Sequence, residues 1–243
     1  MVYLGSKNKL AKYIVPIIQK YIDDTNCKDY FEPFVGGANI IDKIKCENKY
    51  GNDINKYLIA LLEQAQRDVT IFPDEVSEEE YKRVRDNKDN YEDWYVGLVG
   101  FCSSYSGKFF SGYPRGGFKK DGTPRNHSNE MIQNLIKQSS NLKDICFFNE
   151  SFLKANNLSG YVVYCDPPYK ETTKYITSLF NYDDFYNWCV KQSKNNIILV
   201  SEYNMPDNFE CIWEKEVKLS IDSNKKNNPN VNRIEKLFIC KGE

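Results

Sequence analysis

Three short apolar runs constrain the fold more than anything else in this chain: ICFF at 145–148, YVVYC at 161–165 and NIILV at 196–200. A strand with one wet face alternates apolar and polar residues, whereas an unbroken run suits a strand covered on both faces, as in a parallel sheet flanked by helices. Helical spacing surrounds these runs. Residues 8–22 align Leu10, Ile14, Ile17, Ile18 and Tyr21, with Pro16 as an expected break or kink. Residues 55–67 align Leu58, Ile59, Leu61, Leu62 and Ala65, and 183–192 read as a helix capped by Asp183. DYFEPF (29–34) reads as a strand, ANIIDKIKC (38–46) as a helix, and NKYGND (48–53) as a strand ending in an acid. FECIWEKEVKL (209–219) and IEKLFIC (234–240) read as a closing antiparallel pair. The pattern predicts an α/β fold built on a mostly parallel sheet.

The alternation stops between 68 and 142. A chain of 243 residues is long for one domain of roughly 150 residues, and this stretch accounts for the excess. SEEE (77–80) is a capping box opening a charged helix, YEDWYVGLVGFCSSY (91–105) an apolar helix, and 106–128 a loop. Ser128 is the expected cap of a helix running to Leu142. The predicted organisation is therefore a core of 1–67 and 143–243 with 68–142 as an insert. Lys and Arg total 33 against 34 Asp and Glu, which excludes a polybasic or strongly acidic tail protein. Locally the balance differs. Residues 100–128 carry Lys108, Arg115, Lys119, Lys120 and Arg125 against Asp121, while 63–95 carry 5 bases and 11 acids. A basic loop interleaved with Phe and Tyr can hold phosphates and stack on bases, or be an ordinary solvated loop.

No run approaches the roughly 18 apolar residues of a membrane helix, and MVYLGSKNKL lacks the apolar core of a signal peptide. The eight cysteines are scattered without a CxxC pair, which reads as free, mostly buried thiols in a reducing cytoplasm. His127 is the only histidine, so neither a zinc site nor His-dependent hydrolysis is expected.

The strongest chemical signal is Asp166-Pro167-Pro168-Tyr169, directly after YVVYC. A carboxylate at the carboxyl end of a buried strand sits where α/β sheets place ligands. The prolines stiffen the turn and remove two donors. What remains is acceptors, the Asp166 carboxylate and the Pro167 carbonyl, beside the flat face of Tyr169. That suits a planar ring bearing an exocyclic amine; the plain alternative is a proline-rich turn with a capping acid. Phe31-Glu32-Pro33-Phe34-Val35-Gly36-Gly37-Ala38 ends the first strand, and its adjacent glycines permit close backbone approach to a ligand. It is not GxGxxG, so a nicotinamide oxidoreductase is disfavoured. Asp53 ends the second strand and can bind ribose hydroxyls or cap the next helix.

Together these residues resemble the Dam-type adenine-N6 DNA methyltransferases. FEPFVGGA resembles that family's FxPFxGxG cofactor loop, DPPY its catalytic tetrapeptide and YLGSK (3–7) its N-terminal cofactor segment, all in the family's order. CSSYSGKFFSGYPRG (102–116) looks like a motif of phage-encoded members. Ala38 stands where a second loop glycine is usual, and Ser151 where an acid often follows the third strand. The resemblance implies a Rossmann-like S-adenosylmethionine-dependent methyltransferase fold with a seven-stranded sheet and a target-recognition insert at 68–142. It implies S-adenosylmethionine as methyl donor, with no metal. Asp166, Pro167, Pro168 and Tyr169 would be catalytic. Tyr3, Lys7, Phe34, Gly36, Gly37, Asp53, Phe152 and Asp166 would bind the cofactor, Lys7 near its carboxylate and Asp53 at the ribose.

The implied partner is double-stranded DNA, bound by a protein expected to be monomeric and cytoplasmic, in a bacterial or phage-infected cell. A cognate restriction enzyme is left open, and the recognition sequence is not legible. Lys108, Arg115, Lys119, Lys120, Arg125, Asn126 and His127 are the candidate DNA contacts, since Arg and Asn pair with base edges and Lys holds phosphates. Lys225, Lys226 and Arg233 form a second candidate patch. The alternatives are a non-catalytic DNA-binding protein of the same fold, and a methyltransferase acting on RNA or a protein amide.

Overall fold

The computed structural model describes residues 1–119, 121–169, 180–218 and 232–242. Its strands are β1 (Asp29–Glu32), β2 (Asn48–Asn52), β3 (Ile145–Phe148), β4 (Tyr161–Cys165), β5 (Ile197–Glu202), β6 (Phe209–Lys218) and β7 (Asn232–Cys240). They form one sheet in the order β3-β2-β1-β4-β5-β7-β6. β1 pairs in parallel with both β2 and β4, and only β7 runs antiparallel to its neighbours β5 and β6. The chain thus builds outward from β1 to β3, returns to the centre, and builds outward again from β4. The crevice beyond the carboxyl ends of β1 and β4 is the switch point where open α/β sheets bind ligands.

Successive residues of the central strands face opposite layers, as the two-residue period requires. Tyr30, Val162 and Leu199 enter one core, and Phe31, Val163, Ile198 and Val200 enter the other with Phe185, Trp188 and Phe238. β3 departs from the expectation of burial on both faces. It is the edge strand, so Ile145 and Phe147 point inward while Cys146 and Phe148 stay exposed. Cys102, Cys165, Cys189 and Cys240 are buried free thiols, whereas Cys146 and Cys211 are exposed.

Helix α1 (Ala11–Thr25) runs through Pro16 without the expected break. An interior proline costs about 3 kcal/mol. Ile14, Ile18 and Ile22 are buried along the same face, and each contributes roughly 1.5–3 kcal/mol, which outweighs that cost. The expected helix at 38–46 is only a 3-10 turn over Ile41–Lys43. Ala38 sits at φ +54°, outside the helical region, and side chains hold the backbone around it: Gln138 Nε2 donates to the carbonyls of Gly37 and Ala38, and Lys43 Nζ to that of Asn39.

The segment 68–142 does not form a body of its own. α2 (Lys56–Arg67) carries α4 (Asp93–Cys102), in which Val96 through Cys102 are all buried. The two helices approach so closely that a Cβ at Gly97 would lie 2.1 Å from the Tyr57 carbonyl oxygen. Leu98 and Val99 of α4 share one core with Ile132 and Leu135 of α5 (His127–Ser139) and with the sheet. α3 (Glu78–Asp86) begins at Ser77, whose Oγ accepts from Glu80 N at 3.1 Å, as the capping box predicts.

Two expected caps are corrected. α5 is capped by Asn126, which accepts from Asn129 N at 3.0 Å, and ends at Ser139 rather than Leu142. Ser128 instead accepts from Val76 N at 3.0 Å and meets the Ser103 hydroxyl at 2.8 Å in the interior. α6 (Tyr182–Ser193) is capped by Asn181, not Asp183. In each case an asparagine two residues earlier accepts from amides of the first turn. Among the described residues no helix is long and apolar enough to cross a membrane.

Candidate active site

Three strand ends deliver the site. β1 runs into Pro33-Phe34-Val35-Gly36-Gly37, Asp53 directly follows β2 and Asp166 directly follows β4. Gly36 adopts φ +49°, and its amide donates to Asp53 Oδ2 at 3.2 Å; Asn55 N donates to Oδ1 at 3.0 Å. Burial pushes the Asp53 carboxyl upward while these backbone donors oppose the shift. Tyr3 lies against the turn: a Cβ at Gly36 would stand 3.0 Å from its Cε1, and one at Gly37 2.8 Å from its Cβ. Tyr3, Gly36, Gly37 and Asp53 therefore surround one place, as the sequence predicts. Phe34 meets Phe152 at 5.2 Å between ring centres, with Phe185 edge-on to both, so these two predicted residues are also brought together.

Asp166 sits next to β1's end with its side chain 20 % exposed, and Lys7 Nζ stands 3.0 Å from its Oδ1. Burial pushes the Asp166 carboxyl upward, and Lys7 pulls it back. Burial likewise pulls the Lys7 ammonium down, but the Asp166 and Glu235 carboxylates more than reverse this. Paired ionisation is the arrangement that a buried ion pair needs to survive desolvation. The same ammonium lies 4.3 Å above the Tyr169 ring. Lys7, expected near the cofactor's carboxylate, thus stands beside Asp166 with its ammonium over Tyr169. Tyr169 is buried and edge-on to Tyr203 at 4.6 Å, and its hydroxyl donates to Glu235 Oε2 at 3.1 Å. The Pro168 carbonyl accepts from the Tyr182 hydroxyl. That bond ties the DPPY segment to the start of α6.

Sequence reasoning missed Glu235, Tyr203 and Arg233 as neighbours of the tetrapeptide. The available signal was Arg233 and Glu235 at alternate positions in the charged first half of β7, ahead of the apolar run Leu237–Cys240. It also passed over Glu32 of the FEPF loop, which is 2 % exposed and accepts from the Tyr30 hydroxyl at 2.7 Å. Burial pushes the Glu32 carboxyl far above the usual carboxylate range, and the charges of Asp42 and Asp166 add to that.

The candidate DNA contacts lie on the outer loop between α4 and α5. Lys108, Arg115, Lys119 and Arg125 are exposed. Arg115 makes a two-point pair with Glu78, Nε to Oε2 at 2.7 Å and Nη2 to Oε1 at 2.5 Å. Arg125 pairs with Glu130, Asn126 donates to Glu75, and His127 Nε2 meets the Gly116 carbonyl at 2.9 Å. The acidic stretch and the basic loop thus pack together instead of standing apart. Lys120, Lys225 and Lys226 lie outside the described residues. Among the described residues no group of three or more His, Cys, Asp or Glu side chains could hold a metal ion.

Residues 3–206 match the family model of the D12 class N6 adenine-specific DNA methyltransferases. The type II methyltransferase M.FokI of Planomicrobium okeanokoites is 26 % identical over 195 residues, and the match covers 70 % of this chain but 29 % of that protein. The type II methyltransferase M.MjaIII of Methanocaldococcus jannaschii is 26 % identical over 259 residues, covering 87 % of this chain and 86 % of that one. The chain therefore spans less than a third of the first relative and most of the second. Solved structures with weak likeness include TrmN from Thermus thermophilus, with TM-score 0.40 and 8 % identity over 93 % of this chain and 47 % of that one. The putative methylase HI0767 from Haemophilus influenzae has TM-score 0.34 and 10 % identity over 96 % and 87 %.

Proposed function

Because the chain belongs to the D12 class of N6 adenine-specific DNA methyltransferases, we propose that it transfers a methyl group from S-adenosylmethionine to the N6 amine of an adenine flipped out of double-stranded DNA. The observation that carries the reading is Asp166, an acceptor held at the end of β4 with Tyr169 beside it, opening on the same crevice as Gly36 and Asp53. S-adenosylmethionine supplies a methyl group on a sulfonium, already a good leaving group.

The residues of the crevice fit that donor. Each Asp53 oxygen accepts one backbone hydrogen bond, and a carboxylate oxygen has a second lone pair, so Asp53 can still accept from a ribose diol. Tyr3 over the glycine turn and Phe34 with Phe152 wall the crevice, and the Gly36-Gly37 backbone permits close approach. Asp166 and the Pro167 carbonyl accept hydrogens from the target amine, drawing its lone pair out of ring conjugation. Tyr169 supports the flipped ring. Flipping costs a few kcal/mol, partly offset by these contacts and by those of the loop between α4 and α5. Holding amine and methyl in line is worth several kcal/mol more.

Lys108, Arg115, Lys119, Lys120, Arg125, Asn126 and His127 are proposed to meet the duplex. A cytoplasmic setting and a monomeric enzyme accompany the proposal. Incubation with plasmid DNA and isotopically labelled S-adenosylmethionine, followed by mapping of the label, tests it. Label on adenine at a fixed short site is expected; label confined to RNA or protein overturns the reading.

A further inference from the structure

We infer that Glu235 is a positioning residue for the methyl transfer: it fixes the Tyr169 hydroxyl and offers Lys7 a second carboxylate when the target amine takes Asp166. The inference rests on the reading of this crevice as an adenine-N6 methyltransferase site.

β7 presents Arg233 and Glu235 on one side, two residues apart. Glu235 Oε2 accepts from the Tyr169 hydroxyl at 3.1 Å and lies 3.8 Å from Lys7 Nζ. Oε1 accepts from the Tyr203 hydroxyl at 3.5 Å, and that hydroxyl accepts from Arg233 Nη1 at 3.1 Å. The Glu235 side chain is only 14 % exposed. Both of its oxygens are therefore tied to the groups around the DPPY turn.

The position of Lys7 makes this arrangement consequential. An amine that donates to Asp166 while its ring rests on Tyr169 needs two places at once. The Lys7 ammonium holds both, 3.0 Å from Asp166 Oδ1 and 4.3 Å above the Tyr169 ring. It is a donor beside the carboxylate and a cation over the ring, so it stands where the amine must go. Lys7 is 8 % exposed, and a buried charge that loses its partner is strongly penalised. Glu235 removes that penalty. From 3.8 Å, a shift of about 1 Å brings the ammonium to the usual length of a charged hydrogen bond. The ammonium passes from one carboxylate to the other without being stranded. Meanwhile the bond from Tyr169 to Glu235 keeps the ring in place as its face is uncovered.

The test uses the full chain, DNA and labelled S-adenosylmethionine. Glu235→Gln keeps the volume and an acceptor for Tyr169 but loses the charge; Glu235→Asp keeps the charge and shortens the arm. Glu235→Gln is expected to lower kcat at least tenfold, with KM for DNA within threefold of the parent. Glu235→Asp is expected to fall between the parent and Glu235→Gln, whereas a packing role would favour the isosteric Gln. Lys7→Met combined with Glu235→Gln should be no slower than Lys7→Met alone, since both act through one ammonium. Titration of Lys7, followed by carbon NMR of its Cε, should move to lower pH in Glu235→Gln and needs no turnover. A Glu235→Gln variant with parental kcat, an Asp variant slower than Gln, multiplicative losses or an unmoved Lys7 titration each overturn the inference while leaving the activity intact. A parent protein that never labels adenine overturns the activity itself, and Glu235's role in it.

Discussion

Tyr30 donates a 2.7 Å hydrogen bond to Glu32 inside the sheet, so a carboxyl two residues upstream of Phe34 is built into the core, where burial favours its protonated form and outweighs the opposing pull of the tyrosine's bond. In the unfolded chain this group ionises near pH 4.3; in the fold, burial holds it far higher. Between those two values the unfolded state releases a proton that the folded state keeps, so stability falls as pH rises, by about 1.4 kcal/mol per pH unit. Glu32→Gln retains an acceptor for Tyr30 and has no proton to lose. Its melting temperature should exceed the parent's by an amount that grows from pH 5 to pH 7, at about 2–4 °C per kcal/mol for a chain of this size. Differential scanning calorimetry at both values checks this, and a constant difference would contradict it.

Asp166→Ala removes the acceptor at the end of β4. Methyl transfer to adenine should fall at least about 100-fold, the scale of losing alignment at a reacting centre. The far-ultraviolet circular dichroism should match the parent, since the residue ends a strand rather than filling the core. Retained transfer in single-turnover assays would remove Asp166 from the mechanism.

Arg115 and Glu78 form an exposed two-point pair, and the Arg115 guanidinium, followed by Lys82, holds the Glu78 carboxyl down at about 2. Arg115→Ala should weaken DNA binding and reduce the slope of log K against log salt by about 1, the loss of one phosphate contact. Glu78→Ala, which releases the guanidinium and removes an acid beside the loop, should tighten binding. Because the pair stays ionised well below neutrality, the ratio of the two variants' affinities should be the same at pH 5.5 and 7.5. Fluorescence anisotropy with a labelled duplex reads all three.

Gly97→Ala places a Cβ 2.1 Å from the Tyr57 carbonyl oxygen. The clash is with backbone, which no side-chain rotation relieves, so α4 must move off α2. Destabilisation of about 1–3 kcal/mol or more is expected, visible as a lower urea midpoint with unchanged slope.

The sheet was legible because YVVYC and NIILV declare strands buried on both faces, and because Asp53 and Asp166 stand where such strands end. The tetrapeptide and the glycine turn were legible as separate motifs, and the strand order brings them to one crevice. What the sequence concealed was partnership across distance. At 38–46 a single turn replaces the expected helix, where Ala38 takes a left-handed φ of +54° and Gln138, far along the chain, holds the Gly37 and Ala38 carbonyls, an arrangement no local periodicity encodes. Pro16 does not end α1 because local propensity is weaker than three buried isoleucines. Glu235 escaped notice because its significance depends on β7 lying beside β5, which brings it to Tyr169. ICFF misled in the opposite direction, since an apolar run carries no mark of lying at a sheet's edge.

The hydroxyls of Ser103 and Ser128, 2.8 Å apart in the interior, mark where the outer loop leaves the core and where it returns. Its two feet are fastened to one point, with α4 before the fastening and α5 after it, while Phe109, Phe110 and Tyr113 of the loop turn back onto the core. The near end of the loop is coupled to the crevice, because a Cβ at Gly107 would lie 2.5 Å from the Val2 carbonyl oxygen and 2.9 Å from Tyr3 N, so a change in its first residues is felt at the wall that Tyr3 builds.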